Sequence, residues 1–315
     1  MTSRVESAVA ASGVRKRRGL LSGISRDGLS SLAFLLPLLF IFGLFSWFPI
    51  VRAIVMSFQE TNLVTVTKFV GLNNFADVLG DPLFGTAVSN TIYFAILALI
   101  FGYPIPLILA VLMSEARRFK GVYSALAYLP VVVPPVVAVL LWKFFYKGGT
   151  NGAFNQILHT FGLGPVQWLG DASIAMPAIV LEATWAAFGG TVIIYLAALL
   201  SVPPELYDAA EVDGASIFQK IRHVTLPHLR SILFITLILQ LIATAQIFTE
   251  PFLLTEGGPA NSTLTVLLLI YNYAFGRSLG GHYGQAAALS LMLAAFLAIF
   301  TGIYFWLTRG WSTES

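Results

Sequence analysis

Six runs of this sequence, residues 32–58, 87–113, 122–145, 174–200, 232–254 and 286–307, are apolar over their length, and none holds more than one charged side chain. A helix needs about 20 apolar residues to cross the roughly 30 Å hydrocarbon core of a bilayer, so each run is long enough to span it. A spanning β-barrel would alternate apolar and polar residues over segments of about ten, and none of the six runs alternates. Composition agrees: 10% of the residues are charged, against about 25% in a soluble domain. Too little polar surface remains to cover a water-soluble globule, and a disordered chain would need low hydrophobicity with high charge. The sequence therefore predicts an all-α integral membrane protein, a single domain of six transmembrane helices in a lipid bilayer. The 18 Lys and Arg residues fall at a few places rather than on a basic face with exposed aromatics, which argues against nucleic acid as a partner. With no cysteine, disulfides, thiolate nucleophiles and zinc–sulfur sites are excluded.

The first run follows the basic cluster Arg15, Lys16, Arg17, Arg18, as the core of a signal peptide would. Its apolar stretch, residues 32–51, exceeds the 7–15 residues of such a core, and no good small-residue cleavage site follows, so it reads as a retained span. The basic cluster then reads as a topology anchor near anionic lipid. Six spans put both termini on one side. If that side is inner, it collects Arg4, the basic cluster, Arg26, Arg117, Arg118, Lys120, Lys220, Arg222, Arg230 and Arg309, thirteen of the 18 basic residues. Arg52, Lys68, Lys143, Lys147 and Arg277 remain outside. The positive-inside rule thus predicts that both termini are cytoplasmic. Residues 1–31 form an N-terminal tail, 32–308 the six-span body and 309–315 a C-terminal tail. Trp142, Tyr146, Trp306 and Trp311 fall near span ends, where aromatic belts are expected, and Arg52 is placed to snorkel toward headgroups.

Several spans carry helix breakers: Pro104 and Pro106 in the second, Pro130, Pro134 and Pro135 at the start of the third, Gly189–Gly190 in the fourth. Kinked helices either pack closely or line an aqueous path, and both readings stay open. Polar side chains inside spans are costly and so are candidates for such a path. Thr236, Gln240 and Thr244 recur at i, i+4, i+8 on one helix face, with Gln246, Thr249 and Glu250 beyond them; Glu182 and Trp185 stand three apart in the fourth span. Amides, hydroxyls and a carboxylate beside an aromatic ring offer hydrogen bonds and a stacking face to a polar solute on such a path. The same groups also serve interhelical hydrogen bonding, worth about 0.6 kcal/mol per contact.

Residues 201–230, between the fourth and fifth spans, are too polar for lipid. Pro203 and Pro204 suit a helix start, and Glu205, Asp208 and Glu211 lie toward the positive end of its dipole. Gly214 can turn the chain. A second short helix through Phe218 and Ile221 is expected to end before Pro227. Ala209, Ala210 and Gly214 are small enough for a cleft wall to approach, so the segment predicts a helix–turn–helix shaped to fit a groove. This segment resembles the "EAA" signature of membrane permeases of binding-protein-dependent ABC importers: Glu-Ala-Ala, three residues, Gly, and an Ile-x-Leu-Pro further on. Here it reads Asp208-Ala209-Ala210, Gly214 and Val224-Thr225-Leu226-Pro227, and Asp213-Gly214-Ala215 matches the acidic-Gly-Ala centre of the sugar-importer form. Asp208 replaces the Glu, and Ser231 stands where a second Pro is common. Phe69-Val70-Gly71-Leu72-Asn73-Asn74-Phe75, Thr255-Glu256-Gly257-Gly258-Pro259 and Gly284-Gln285-Ala286-Ala287-Ala288-Leu289-Ser290 are similar to further segments of the maltose-type first permease, in the same order.

The resemblance implies the type I importer permease fold and a place in the cytoplasmic (inner) membrane of a bacterium or archaeon. Such a permease pairs with a second, homologous permease to form the pore. Two ATPase subunits sit beneath, one gripping the coupling segment through Asp208, Ala209, Ala210, Glu211, Asp213, Gly214, Ala215, Leu226 and Pro227, and an external binding protein delivers the carbohydrate. No cofactor or catalytic residue is implied in this chain. Accordingly, no G-x-x-x-x-G-K-[ST] loop occurs to hold nucleotide phosphates, so ATP hydrolysis is expected in the partner. An ion-driven secondary transporter would usually show internal repeats and ionisable residues deep in broken helices; no convincing repeat is present, and residues 201–230 have no role in that model. A membrane-embedded enzyme would need a motif such as H-E-x-x-H. The four histidines, His159, His223, His228 and His282, fall in predicted loops, without ligand spacing for a metal.

Overall fold

The structure, a computed structural model, describes residues 26–61, 68–115, 120–276 and 281–308. The basic cluster, Arg4, Arg117, Arg118, Arg277, Arg309 and Trp311 lie outside these residues. The chain divides into two compact units, residues 1–53 and 54–315. In the first, α1 (Arg26–Phe42) passes through a π-type turn, Gly43–Trp47, into α2 (Phe48–Ser57), which runs on into the second unit.

In the second unit a short hairpin, β1 (Gln59–Glu60) and β2 (Lys68–Phe69), pairs antiparallel with Gln59 opposite Phe69. After α3 (Asn73–Gly80), Asp81 caps α4 (Pro82–Leu97) by accepting the Leu83 N–H at 2.8 Å. A π-type turn, Ala98–Gly102, joins α4 to α5 (Pro104–Glu115). Next come α6 (Lys120–Val132), α7 (Pro135–Phe145), α8 (Ala153–Thr160) and the 29-residue α9 (Ala172–Leu200). Asp171 caps α9 through the Ser173 N–H and hydroxyl, and these hydrogen bonds hold its carboxyl below the usual aspartate range. The chain continues as α10 (Pro204–Val212), α11 (Ile217–Lys220), α12 (Leu226–Ala245), α13 (Thr249–Leu254), α14 (Val266–Phe275) and α15 (Tyr283–Thr308). Among the described residues five helices are long and apolar enough to cross a membrane, and six if α6 and α7 form one bent span.

Prolines set the irregularities. Phe48, Tyr103 and Leu226 each close a π turn by donating to the carbonyl five residues back, and each is followed by a proline. A proline has no N–H for the carbonyl four back, and its ring clashes there; a one-residue slip in register just before it keeps the helix running. The expected third span is instead bent by 98° between Val132 and Pro135. Two consecutive prolines remove two donors and drive the residue before each into extended backbone; Pro134 has ψ 134°. Gly189–Gly190 breaks nothing: α9 is continuous, and a Cβ on Gly189 would stand 2.2 Å from the Ala127 carbonyl oxygen. That glycine exists for close packing of α6 on α9.

Two expectations at span ends change. Trp142 and Tyr146 do not form a lipid-facing belt. Both are buried in an aromatic cluster with Phe154 and Trp168, and the Tyr146 hydroxyl donates to the Ala178 carbonyl at 2.7 Å. Trp306 is exposed. Two of the segments carrying the family resemblance meet in space: buried Asn74 donates to the Ser57 and Gln59 carbonyls at 2.9 and 3.0 Å. A Cβ on Gly284 would fall 2.2 Å from that same Gln59 oxygen.

Candidate functional site

The segment 201–230 is a knob of two short helices. Pro204 opens α10, where its missing N–H costs no hydrogen bond. At the far end Gly214, φ +73°, donates its N–H to Glu211 O at 3.0 Å, and Ala215 donates to Ala210 O at 2.9 Å. This pair of bonds around a left-handed glycine is a Schellman stop. Ser216 then starts α11 with a capping box: it accepts the Gln219 N–H, while the Gln219 side-chain oxygen accepts the Ser216 N–H at 2.7 Å. Lys220 reaches back to Glu211 at 2.9 Å, and its hydrogen bond and charge hold the Glu211 carboxyl below the usual glutamate range. Tyr207 ties α10 to the root of α12 through the buried Thr225 hydroxyl at 3.0 Å.

The expected stop before Pro227 is absent. From α11 the chain turns through the π stretch Ile221–Thr225 directly into α12, making Ile217–Leu254 one long apolar candidate. The α11 end of the knob therefore joins a helix long and apolar enough to cross a membrane with no intervening loop. Asp208, Ala209, Glu211, Asp213 and Gly214 are exposed, Ala210 and Ala215 partly so; Leu226 is half-buried and Pro227 exposed at the root of α12. Val212, Ile217 and Phe218 are 89%, 75% and 71% exposed. A polar knob with apolar side chains turned outward is a surface that lacks a partner in the isolated chain.

A second feature lies within the helices. A cavity of about 310 Å³ is walled by α4, the π turn before α5, α9, α12 and α13. Gln240 and Thr244 line it, joined by Thr184 and Thr191 from α9, by Gln246 from the α12–α13 break and by Thr249 and Glu250 from α13; Phe94, Phe188 and Phe248 supply aromatic walls. At Gly102 a Cβ would stand 3.0 Å from the Thr184 hydroxyl and 3.9 Å from the Gln240 amide nitrogen, so a larger residue would fill the polar end.

The other polar residues singled out in the sequence lie elsewhere. Thr236 is buried between helices, sharing a 2.7 Å hydrogen bond with the Tyr195 hydroxyl and donating to the Ile232 carbonyl at 2.9 Å. Trp185 packs on Trp142 at 5.6 Å in the aromatic cluster. Glu182 is wholly buried, and among the described residues neither of its oxygens has a hydrogen-bond partner. The i, i+4, i+8 face is thus divided: its lower member binds helices together and its upper two line the cavity. Thr184 and Thr191 escaped notice because a threonine in an apolar helix carries no distinguishing signal. His159 and His228 lie in α8 and α12 rather than in loops, and among the described residues no group of three or more His, Asp or Glu side chains could hold a metal.

The family described as "Binding-protein-dependent transport system inner membrane component" matches residues 102–313. The arabinooligosaccharides transport permease AraP of Halalkalibacterium halodurans is 34% identical over 270 residues, covering 85% of this chain and 84% of that protein. The trehalose/maltose transport permease MalF of Thermococcus litoralis is 32% identical over 271 residues, 86% of this chain and 90% of the other. Among solved structures, a chain of a bacterial ABC transporter that imports the acidic polysaccharide alginate superposes with TM-score 0.80 at 26% identity, covering 93% of this chain and 98% of its own. The knob, the bent helices and the cavity are thus features of a member of a known group: this chain belongs to the family of inner-membrane components of binding-protein-dependent transport systems.

Proposed function

We propose that this chain is one of two permease subunits of an ATP-driven carbohydrate importer. With a homologous permease it forms the translocation pore, two ATPase subunits supply the work, and an external binding protein delivers the sugar. The observation that carries this reading is the exposed α10–Gly214–α11 knob, whose α11 continues without a loop into α12. Asp208, Ala209, Ala210, Glu211, Asp213, Gly214 and Ala215 would enter a cleft on one ATPase, with Leu226 and Pro227 at the base carrying the motion into α12. Closure of the ATPase pair on ATP would then bias the helices between two arrangements, because the knob is held differently in each. Relatives named for arabinooligosaccharide, trehalose/maltose and lactose transport support the sugar class.

On this reading the knob and both termini face the cytoplasm, residues 1–31 and 309–315 are cytoplasmic tails, and 32–308 form the membrane body. The hairpin, α3 and the loop between α13 and α14 then face outward, toward the binding protein. Gln240 and Thr244 belong to the sugar's path, while Thr236 and Trp185 hold helices together. The test is reconstitution: the four-subunit complex in liposomes should hydrolyse ATP in response to loaded binding protein and accumulate sugar. Solute accumulation or nucleotide hydrolysis by this chain alone would refute the reading.

A further inference from the structure

The cavity has a charge character that the importer reading leaves unspecified. Glu250 lines it, and among the described residues its wall holds no Lys, Arg or His. Lys143, on α7, donates its ammonium to the Leu253 carbonyl at 2.6 Å and is not part of the wall. The remaining polar lining is neutral: hydroxyls of Thr184, Thr191, Thr244 and Thr249 and amides of Gln240 and Gln246.

Neutral donors and acceptors beside aromatic rings match sugar hydroxyls and the apolar faces of sugar rings. A uronate or phosphate is ordinarily met by Arg or Lys. Here it would find no cation in the wall to pair with, and an anion left unpaired in a confined site is costly. From this lining we infer that the path in this chain is built for uncharged glycans and disfavours those bearing uronate or phosphate groups. The inference rests on the importer reading and narrows it to a substrate class. Glu250, in α13, adds an acidic group to that wall and no cation.

The test uses the whole importer in proteoliposomes with its binding protein. It is offered a pool of neutral, uronate-bearing and phosphorylated oligosaccharides, and the accumulated sugars are identified by mass spectrometry. Neutral sugars should exceed acidic ones by about tenfold or more, as an unpaired charge in such a site requires. Accumulation of acidic members at equal or greater level overturns the charge inference and leaves the importer standing. No accumulation of any sugar, with ATP hydrolysis unresponsive, overturns both. A second measurement removes the binding protein's own selectivity: equilibrium binding of the accumulated neutral sugar and of its uronic-acid counterpart to the solubilised importer. The acidic counterpart should bind about tenfold more weakly to the wild type, and Gln246→Lys, which supplies a cation in the wall, should close most of that gap. Equal affinities in the wild type, or a gap unchanged by Gln246→Lys, overturns the inference.

Discussion

Substitution at Gly214 separates backbone geometry from side-chain bulk. A Cβ there meets nothing within 4 Å, so a larger residue clashes with no neighbour in this chain. What it meets is the backbone: φ is +73°, and holding an L-residue in the left-handed region costs about 1–2 kcal/mol. Since 1.4 kcal/mol is about tenfold, the Schellman turn should lose about five- to thirtyfold in favour of any other arrangement of α10 and α11. Asn tolerates the left-handed region better than Ala, and β-branched Val worst. Sugar uptake should therefore fall in the order Gly214, Gly214→Asn, Gly214→Ala, Gly214→Val. ATP hydrolysis should fall less, so that ATP used per sugar rises, while membrane insertion is unchanged. Uptake and hydrolysis measured together in proteoliposomes decide the matter. Wild-type uptake by Gly214→Val would refute the reasoning, because it would mean that the turn's geometry is not transmitted to the helices.

Gln240→Ala should weaken transport without loosening ATPase association, since Gln240 lines the cavity well away from the knob; unchanged uptake kinetics would remove it from the path. Thr236→Val should behave oppositely, costing about 0.6 kcal/mol of helix association through the lost Tyr195 bond while leaving sugar affinity as it was; a changed affinity would return Thr236 to the path. Gly189→Ala forces a methyl onto the Ala127 carbonyl and should destabilise the α6–α9 contact by about 1–3 kcal/mol, read as a lower melting temperature in detergent. The Glu211–Lys220 pair depresses the Glu211 pKa, so its stabilisation is present above the ordinary glutamate range and is lost as pH falls through the depressed value. A carboxyl-carbon NMR titration should therefore place the Glu211 midpoint lower than in Lys220→Met, and equal midpoints would contradict the pairing.

The apolar runs were legible because a bilayer demands length, and length survives without knowledge of tertiary structure. Their interiors were harder to read. The sequence marks Pro104, Pro134, Pro135 and Pro227 as disturbances, but whether a proline breaks a helix or merely slips its register depends on the neighbouring carbonyls. Pro227 was expected to stop a helix and instead sits just after a π turn inside one. The double proline at Pro134 and Pro135 does break its span. The ten-residue α14 is too short to register as a span, and its burial against α4 and α15 comes from contacts distant in sequence. The knob was the most legible element, since Pro204 and Gly214 each act on their immediate neighbours, though the Ser216 capping box went unread. The cavity was the least: Gln240 and Thr244 were visible on one face, but that face continues to Thr236, and only the packing of Tyr195 shows where it leaves the cavity.

The claim on which the rest depends is that the knob is gripped by a motor subunit. The chain has no cysteine, so Ala209→Cys places one thiol on the exposed face of α10, ready for a maleimide photo-crosslinker in the assembled importer. Illumination should join this chain to the ATPase subunit, with a yield that changes between the ATP-bound and nucleotide-free complex. Crosslinks only to lipid or to the second permease, with the ATPase never captured in either state, would contradict the account.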